Sequence, residues 1–172
     1  MGAERRRSQH VDDAEFTQWA AGCQRQLLGT AYLISGDLQR AEDLVQEALT
    51  KVALRWHRLR HTNPDAYVRT ILVHDNISWW RRHRRESVVG SVRESGVRPA
   101  DTETSLVVRS SLARLTEKQR AVVVLRHFED RSERETAEIL GVSVGTVKSQ
   151  NSAALARLRE GAPELLDLIG RT

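Results

Sequence analysis

Apolar residues recur every three or four positions through most of the chain, which is the spacing of an amphipathic helix. The first predicted helix covers about residues 14–33, the second about 37–56, and the third runs from Pro64 into an arginine cluster at 81–85. The sequence has no sustained period-two alternation and no Asn-Gly or Asp-Gly hairpin turn, so strands are not predicted. We therefore predict an all-α fold.

Residues at the predicted helix ends support these boundaries. Gly36 can end the first helix, because glycine readily adopts left-handed backbone angles. Asp37 is an N-cap for the second helix, since its carboxylate can accept from a free backbone N–H group. Asn63 followed by Pro64 gives the third helix a cap and then a proline at its first position, where the missing N–H has no partner to lose.

Residues 86–104 break the helical period. Glycine, serine, proline and charged residues dominate this stretch, which is typical of a linker. Helical periodicity resumes near Ser105. We predict two small helical domains, residues 12–85 and 105–162, joined by a flexible linker at 86–104.

Residues 132–159 have the pattern of a helix-turn-helix. Ala137, Gly141 and Val147 stand where the motif needs a small residue at the helix crossing, a glycine in the turn and a β-branched anchor. A helical hairpin that only packs against its neighbours can show the same apolar spacing. Polar residues after the turn favour DNA readout, and they are Thr146, Lys148, Ser149 and Gln150.

Capping signals frame the same region. Ser132 with Glu135 forms a predicted capping box, and Ser143 can cap the second helix of the motif. Thr116 with Gln119 is another predicted capping box, and it opens the helix that precedes the helix-turn-helix.

Composition excludes several classes of protein. The 172 residues are 40% hydrophobic, enough for a core, but no apolar run approaches the roughly 20 residues of a membrane span. No apolar segment follows the N-terminal arginines, so a secretory signal is not predicted. The single cysteine, Cys23, excludes an internal disulfide and a Cys-rich metal site. We expect a cytoplasmic protein that does not insert into a membrane.

Motifs of catalysis are missing from the sequence. It contains no Gly-rich phosphate loop, no HExxH and no nucleophile motif, and its six histidines lack metal-ligand spacing. We predict no enzyme activity, no metal site and no cofactor.

Charge is segregated along the chain, although the net charge is only +4. Arginines crowd into 81–85 and recur through the C-terminal half, whereas Glu42, Asp43 and Glu47 form an acidic stretch. This segregation indicates one surface for an anionic polymer and another for a basic partner. Asp43, Gln46 and Glu47 share a polar helix face that is either only solvated or a docking surface.

Trp79 and Trp80 stand directly before the arginines at 81–85. Neighbouring residues on a helix point about 100° apart, so both indoles cannot enter one core. Aromatic rings beside a basic track suit unstacked single-stranded bases. The alternative is a tryptophan pair that closes a small core above a solvated basic tail.

The order of these motifs resembles the extracytoplasmic-function (ECF) sigma factors, the smallest members of the sigma-70 family, with only sigma regions 2 and 4. The resemblance covers about residues 12–160. Its segments are AEDLVQEAL, NPDAYVRTILV and WWRRHRR before the linker and LTEKQRAVVVLRHFED and SVGTVKSQNSAALARLR after it. The WWRR and GTVKSQ signatures are similar to those of a short actinobacterial subgroup. The resemblance implies a region 2 helical bundle and a region 4 helix-turn-helix.

The resemblance also implies partners and contact residues. Docking on the β′ clamp helices of core RNA polymerase falls on Asp43, Gln46 and Glu47. Reading and melting of the −10 element falls on Leu59, Arg60, His74, Trp79, Trp80, Arg81 and Arg82. Recognition of the −35 duplex falls on Ser143, Val144, Gly145, Thr146, Lys148, Ser149, Gln150 and Arg157. The remaining implied partners are the polymerase β flap, promoter DNA in the nucleoid and, unless control is transcriptional, an anti-sigma factor.

Three matched positions depart from the family. Leu115-Thr116 stands where a Leu-Pro commonly opens the penultimate helix, which is harmless because Thr can cap a helix. His74 replaces an Asn that helps to hold an unpaired −10 base, and Ala153 replaces an Arg of the recognition helix, which removes a phosphate or base-edge contact. The alternative function is a helix-turn-helix regulator that does not replace a sigma subunit. Such a regulator needs a dimerisation or effector domain, whereas residues 12–85 have docking and melting signatures. A nucleic-acid-processing enzyme would need clustered metal-binding carboxylates, which the sequence does not contain.

Overall fold

The computed structural model describes residues 2–86 and 103–169, and every regular element in these ranges is helical, which confirms the all-α prediction. The elements are α1 (Gly2–Ser35), α2 (Leu38–Ala53), α3 (Trp56–Leu59), α4 (Pro64–Glu86), α5 (Glu103–Ala113), α6 (Glu117–Val123), a π-helical turn (Val124–Phe128), α7 (Glu133–Leu140), α8 (Val144–Gly161) and α9 (Pro163–Ile169). Of the predicted linker, residues 87–102 lie outside the described residues.

Helices α1 to α4 form the N-terminal unit, in which α2 and α4 each pack against α1 and against each other. The predicted apolar stripe of α2 is buried, and its buried members are Ala41, Leu44, Val45, Ala48 and Val52. Leu27 and Ile34 of α1 and Val68 and Leu72 of α4 are also fully buried. Each large aliphatic side chain in this core contributes about 1.5–3 kcal/mol through burial.

The predicted helix ends of this unit are confirmed where they rest on local hydrogen bonds. Gly36 ends α1 with a φ of +76°. The Asp37 carboxylate accepts from the Arg40 N–H at 2.7 Å. The Asn63 side chain accepts from the Ala66 N–H at 3.0 Å, in front of Pro64.

Two predicted boundaries in this unit are wrong. Helix α1 begins at Gly2 rather than near residue 14. Helix α2 ends at Ala53, and the short α3 follows it, where a single helix to about Trp56 is predicted. The backbone tightens here, because the Arg55 N–H donates to the carbonyl of Val52 at 3.0 Å, only three residues back.

Helices α5 to α9 form the C-terminal unit, and both predicted capping boxes are present in it. The Thr116 hydroxyl accepts from the Gln119 N–H at 3.3 Å, and the Gln119 side chain accepts from the Thr116 N–H. Ser132 and Glu135 make the equivalent pair at 3.1 and 2.8 Å. Hydrogen bonds from Ser132 lower the pKa of Glu135, since they stabilise the ionised carboxylate.

Two elements of this unit are missing from the prediction. The helix that opens at Thr116 changes into the π-helical turn, and α9 begins at Pro163. After the π-helical turn the chain reaches Glu129, which is buried, and Asp130, whose φ of +51° is unusual for a residue other than glycine. π-Helical turns are rare in proteins, and those that occur often lie at functional sites.

The two units pack against each other. Helices α1 and α4 of the N-terminal unit contact α6, α7 and the π-helical turn, and buried apolar side chains of both units form one continuous cluster. Within the described ranges, the helices contain no candidate membrane-spanning segment.

Candidate nucleic-acid interface

Helices α7 and α8 form the predicted helix-turn-helix. Gly141 ends α7 in the left-handed region with a φ of +65°, and the Val142 N–H donates to the carbonyl of Ala137 at 3.0 Å. Ala137 and Val147 are buried together with Val122 of α6 beneath the turn. The structural roles predicted for the small residue, the glycine and the β-branched anchor are confirmed.

The first turns of α8 face outward. Ser143 caps the helix, and its hydroxyl accepts from the Thr146 N–H at 3.1 Å. The free N–H groups of this terminus carry partial positive charge, which favours a nearby phosphate. The predicted −35 residues that are exposed here are Ser143, Val144, Gly145, Thr146, Lys148 and Ser149.

The other two predicted −35 residues lie apart from this exposed face. Gln150 is only half-exposed and lines a cleft that faces α4. Arg157 is exposed, but it lies about 13 Å further along α8 than Lys148, at about 1.5 Å per residue. Its guanidinium donates to the Gln119 side chain at 3.4 Å.

Two contacts that the sequence did not indicate hold this surface. The Lys148 ammonium lies 3.6 Å from the carboxylate of Glu133, and the two side chains are 63% and 39% exposed. His127 of the π-helical turn contacts the Asn151 side chain of α8 at 3.0 Å. Both pairs join residues at least fifteen positions apart, so helical periodicity gives no signal for them.

We expect Lys148→Ala to weaken binding to duplex DNA largely independently of base sequence. We expect the exposed Lys148 ammonium to contact a phosphate. The loss of one phosphate contact reduces the magnitude of the slope of log K against log salt by about 0.9. Fluorescence anisotropy with a labelled duplex across a salt series measures both the affinity and the slope.

Two variants serve as controls for this prediction. Lys51→Ala removes an exposed lysine from α2 and should leave duplex binding unchanged. Glu133→Gln should strengthen binding, because it removes the anion that competes for Lys148. If Lys148→Ala changes neither affinity nor slope, Lys148 is not part of the interface.

A second candidate surface lies at the C-terminal end of α4. The rings of Trp79 and Trp80 meet edge to face, with centroids 5.1 Å apart at 86°. Trp79 also stacks on His83 at 4.0 Å and 23°, and the Arg40 guanidinium lies 5.2 Å from its centroid. Both indoles are half-buried, so each combines packing with an accessible edge.

Carboxylates near Arg40 partly offset the positive charge of this surface. Burial lowers the pKa of the Arg40 guanidinium, and the carboxylates of Glu47, Asp43 and Asp75 oppose that shift. Asp75 also accepts from the Lys51 ammonium at 2.6 Å. Arg81 and Arg82 line a surface depression together with Arg40 and Trp79. Both are exposed, so they remain available to a phosphate backbone.

His74, Trp80 and Arg81 line a cleft of about 830 Å³ between α4 and the C-terminal unit. The indole N–H of Trp80 is buried and has no hydrogen-bond partner among the described residues. The opposite wall is partly apolar, and its apolar members are Val122, Leu140, Val142 and Val147.

The structure does not bring the other two predicted −10 residues to this surface. Leu59 packs against the core, and Arg60 pairs with Asp12 and, at 3.0 Å, with Glu15. Both precede the N-terminus of α4, whereas Trp79 lies fifteen residues after Pro64, or about 22 Å along the helix.

The predicted acidic face is exposed on α2. Asp43, Gln46 and Glu47 all point away from the buried stripe. An apolar groove lies beside them between α1 and α2, lined by Phe16, Leu28, Val45, Leu49 and Leu54 among others. Leu54 is 76% exposed, which is unusual for a leucine and places an apolar contact next to the acidic residues.

Within the described ranges, no group of three or more His, Cys, Asp or Glu side chains is arranged to hold a metal ion. Burial is the largest cause of the raised pKa of the Cys23 thiol, which makes it a poorer nucleophile at neutral pH.

Comparison with protein families matches two regions of the chain. The model described as Sigma-70 region 2 matches residues 20–86, and the model described as Sigma-70, region 4 matches residues 105–158. The RNA polymerase sigma-E factor of Streptomyces avermitilis is 39% identical over 158 residues, which cover 88% of this chain and 87% of that protein. The ECF RNA polymerase sigma factor SigM of Mycobacterium tuberculosis is 31% identical over 150 residues, covering 86% and 76%.

Solved structures give the same likeness. The sigma factor RpoE from Bartonella quintana, in complex with the anti-sigma factor NepR, aligns with a TM-score of 0.69 and 28% identity, covering 85% of this chain and 95% of that chain. CnrH, in complex with the cytosolic domain of CnrY, aligns with a TM-score of 0.62 and 24% identity, covering 91% and 90%, and it supports the fold alone.

Proposed function

Because this chain belongs to the extracytoplasmic-function group of the sigma-70 family, we propose that it is a dissociable RNA polymerase subunit that directs initiation at specific promoters. One observation carries this proposal: each matched region presents a surface suited to one part of the task. The C-terminal unit exposes the start of α8 for a duplex, and the N-terminal unit presents indoles and arginines at the end of α4.

The start of α8 is our proposed reader of the −35 element. A recognition helix enters the major groove with its N-terminal residues against base edges. Thr146 and Ser149 offer hydroxyl groups there, although each hydroxyl already has a partner within the helix terminus. Lys148 supplies the phosphate contact. We place Arg157 outside the exposed start of α8, as a contact to the DNA backbone or to the polymerase β flap.

The end of α4 is our proposed site for the −10 element. Base–aromatic stacking is worth about 1–3 kcal/mol per base and offsets the cost of unpairing the duplex. Trp80, Arg81 and His74 border one cleft, and they are the residues we place against the separated strand. Leu59 and Arg60 contribute indirectly, since Arg60 ties the start of α4 to α1.

The acidic face of α2 is our proposed contact with the β′ clamp helices. We expect reversal of both carboxylates, Asp43→Lys with Glu47→Lys, to weaken association with core polymerase at least tenfold. The melting temperature should stay nearly unchanged, because both side chains are exposed and exposed charges contribute little to folding. Biolayer interferometry and a melting curve measure the two effects.

The matched control is Asp13→Lys with Asp167→Lys, which makes the same charge change at exposed positions of α1 and α9. It should leave polymerase binding intact. A double variant at Asp43 and Glu47 that unfolds would mean that the acidic face is structural, and the docking role would be lost.

Sigma action requires no covalent step by this chain, and we place the protein in the cytoplasm at the nucleoid, where core polymerase and promoters are. The similar sigma factor RpoE is bound to an anti-sigma factor in its structure, and we extend that class of regulator to this chain.

Run-off transcription tests the proposed function. The purified chain is added to core RNA polymerase on a library of genomic fragments, and transcripts should begin at defined sites only when the chain is present. A chain that binds promoter fragments yet starts no transcript with core polymerase would instead be a helix-turn-helix regulator.

A further inference from the structure

A buried ion pair joins the two units. The Arg69 guanidinium of α4 donates to the carboxylate of Glu129, just after the π-helical turn, at 2.6 Å, and both side chains are only 2% exposed. From α1, the Thr30 hydroxyl and, at 3.5 Å, the Gln26 amide also donate to this carboxylate. One carboxylate of the C-terminal unit is therefore held by three side chains of the N-terminal unit.

A second buried cation reinforces the contact. Arg120 of α6 is buried, and its guanidinium donates to the carbonyl of Ile34 at 3.3 Å, near the C-terminus of α1. It also donates to Leu112 at 2.9 Å, near the C-terminus of α5. Helix C-termini carry unpaired carbonyls and partial negative charge, so this cation fastens the end of one unit to the other.

This arrangement is too small to reach both promoter elements at once. A compact chain of 172 residues has a radius of gyration of about 16 Å and a diameter of about 40 Å. Elements centred near −10 and −35 lie about 25 base pairs apart, or about 85 Å along the duplex. The units must therefore separate, and the sixteen residues at 87–102 can reach about 55 Å when extended.

The ion pair affects the closed and separated states very differently. When the units are packed, removal of one partner leaves the other buried charge with only a more distant ion pair. For Arg69 that pair is with Asp65 at 3.9 Å, and for Glu129 it is with Arg131 at 3.7 Å, so the loss is unfavourable. When the units are apart, both charges return to water, and the same removal has little effect. Changes at Arg69 or Glu129 should therefore act selectively on the closed conformation.

We propose that the Arg69–Glu129 ion pair is a latch that holds this chain in a closed conformation unable to engage a whole promoter, which core polymerase opens by binding the separated units. This inference rests on the proposed function. The exposed start of α8 remains open in the closed conformation, so closure does not block an isolated −35 duplex. It blocks only simultaneous contact with both elements.

The latch is tested by distance measurement on the isolated full chain. Fluorescent labels are placed at Gln39→Cys on α2 and Arg134→Cys on α7, both exposed positions, in a Cys23→Ser background. Glu129→Gln should raise the ratio of open to closed molecules about ten- to a hundredfold, which is the factor that corresponds to the loss of one hydrogen bond to a charged group. The energy transfer should fall accordingly. Glu138→Gln is the matched control, since it makes the same change at an exposed carboxylate of α7.

A subtler pair of variants covers the case in which Glu129→Gln unfolds the C-terminal unit. Thr30→Val removes only the hydroxyl that reaches Glu129, and Thr70→Val removes a hydroxyl that bonds within α4. Thr30→Val alone should lower the energy transfer. Both should retain wild-type affinity for a −35 duplex, which shows that the helix-turn-helix is folded.

Affinity for a whole promoter completes the test. With core polymerase, the opened variants should bind a full promoter more tightly than wild type. Unchanged energy transfer in both Glu129→Gln and Thr30→Val would overturn the latch, as would open variants with no gain on the full promoter. If the variants open as expected but the wild-type chain starts no transcript with core polymerase, the proposed function fails while the closed contact stands.

Discussion

Replacing Trp56 by alanine should lower the free energy of unfolding by about 3–5 kcal/mol. Trp56 is 7% exposed, and its ring lies 5.5 Å from Phe16 and 5.3 Å from Trp19. Its indole N–H has no hydrogen-bond partner among the described residues, so the loss is one of packing. Chemical denaturation followed by circular dichroism measures the change.

Leu54→Ala is the matched control for this prediction. Leu54 precedes Trp56 by two residues but is 76% exposed, so its truncation should change stability by no more than about 0.5 kcal/mol. A loss below about 1 kcal/mol in Trp56→Ala would mean that Phe16 and Trp19 close over the cavity, and that Trp56 does not anchor the unit.

The features that the sequence predicted well depend on residues close together in the chain. The caps at Asp37 and Ser143, both capping boxes and the left-handed Gly141 each involve contacts within about five residues. The buried stripe of α2 follows in the same way, because helical periodicity alone decides which side chains share a face.

The features that the sequence missed depend on distant contacts. Arg69 and Glu129 are sixty residues apart, and no local pattern indicates that their charges meet in a buried interface. The π-helical turn falls within an apolar run that reads as an ordinary helix. The break after Ala53 lies beside another distant contact, since Trp56 packs against rings from α1.

The candidate sites also divide into residues that local sequence predicted and contacts that depend on distant parts of the chain. Four residues of the −35 set were predicted from their position after a turn and the other four from the family resemblance, and six of the eight lie together at the exposed start of α8. In the −10 set, the indoles and arginines were predicted from aromatic rings beside a basic track. Leu59, Arg60 and His74 came from the family resemblance alone, and the structure separates Leu59 and Arg60 from the indoles. The partners that tune each site, such as Arg40 beside Trp79 and Glu133 beside Lys148, became visible only in three dimensions.

Alanine at Trp80 should slow open-complex formation about 5- to 150-fold, which corresponds to the loss of about 1–3 kcal/mol of stacking on one base. Trp80 borders the cleft on α4 and has a buried indole N–H without a described partner. Trp79 is the poorer candidate for stacking, because His83 already stacks on its ring and Arg40 lies against it. Permanganate footprinting of unpaired thymines, followed over time, measures opening.

Three comparisons separate this role from a structural one. The loss in Trp80→Ala should largely disappear on a template whose −10 region is already mismatched, because no base pair then has to open. Trp80→Phe should recover most of the rate, since it keeps an aromatic face. Trp79→Ala should lose its contacts with His83 and Arg40 and thus stability, but less than Trp56→Ala, because its ring is only half-buried. If both alanine variants open the promoter at the wild-type rate and both lose stability, the tryptophan pair is part of the packing of α4, and single-strand binding must lie on other residues.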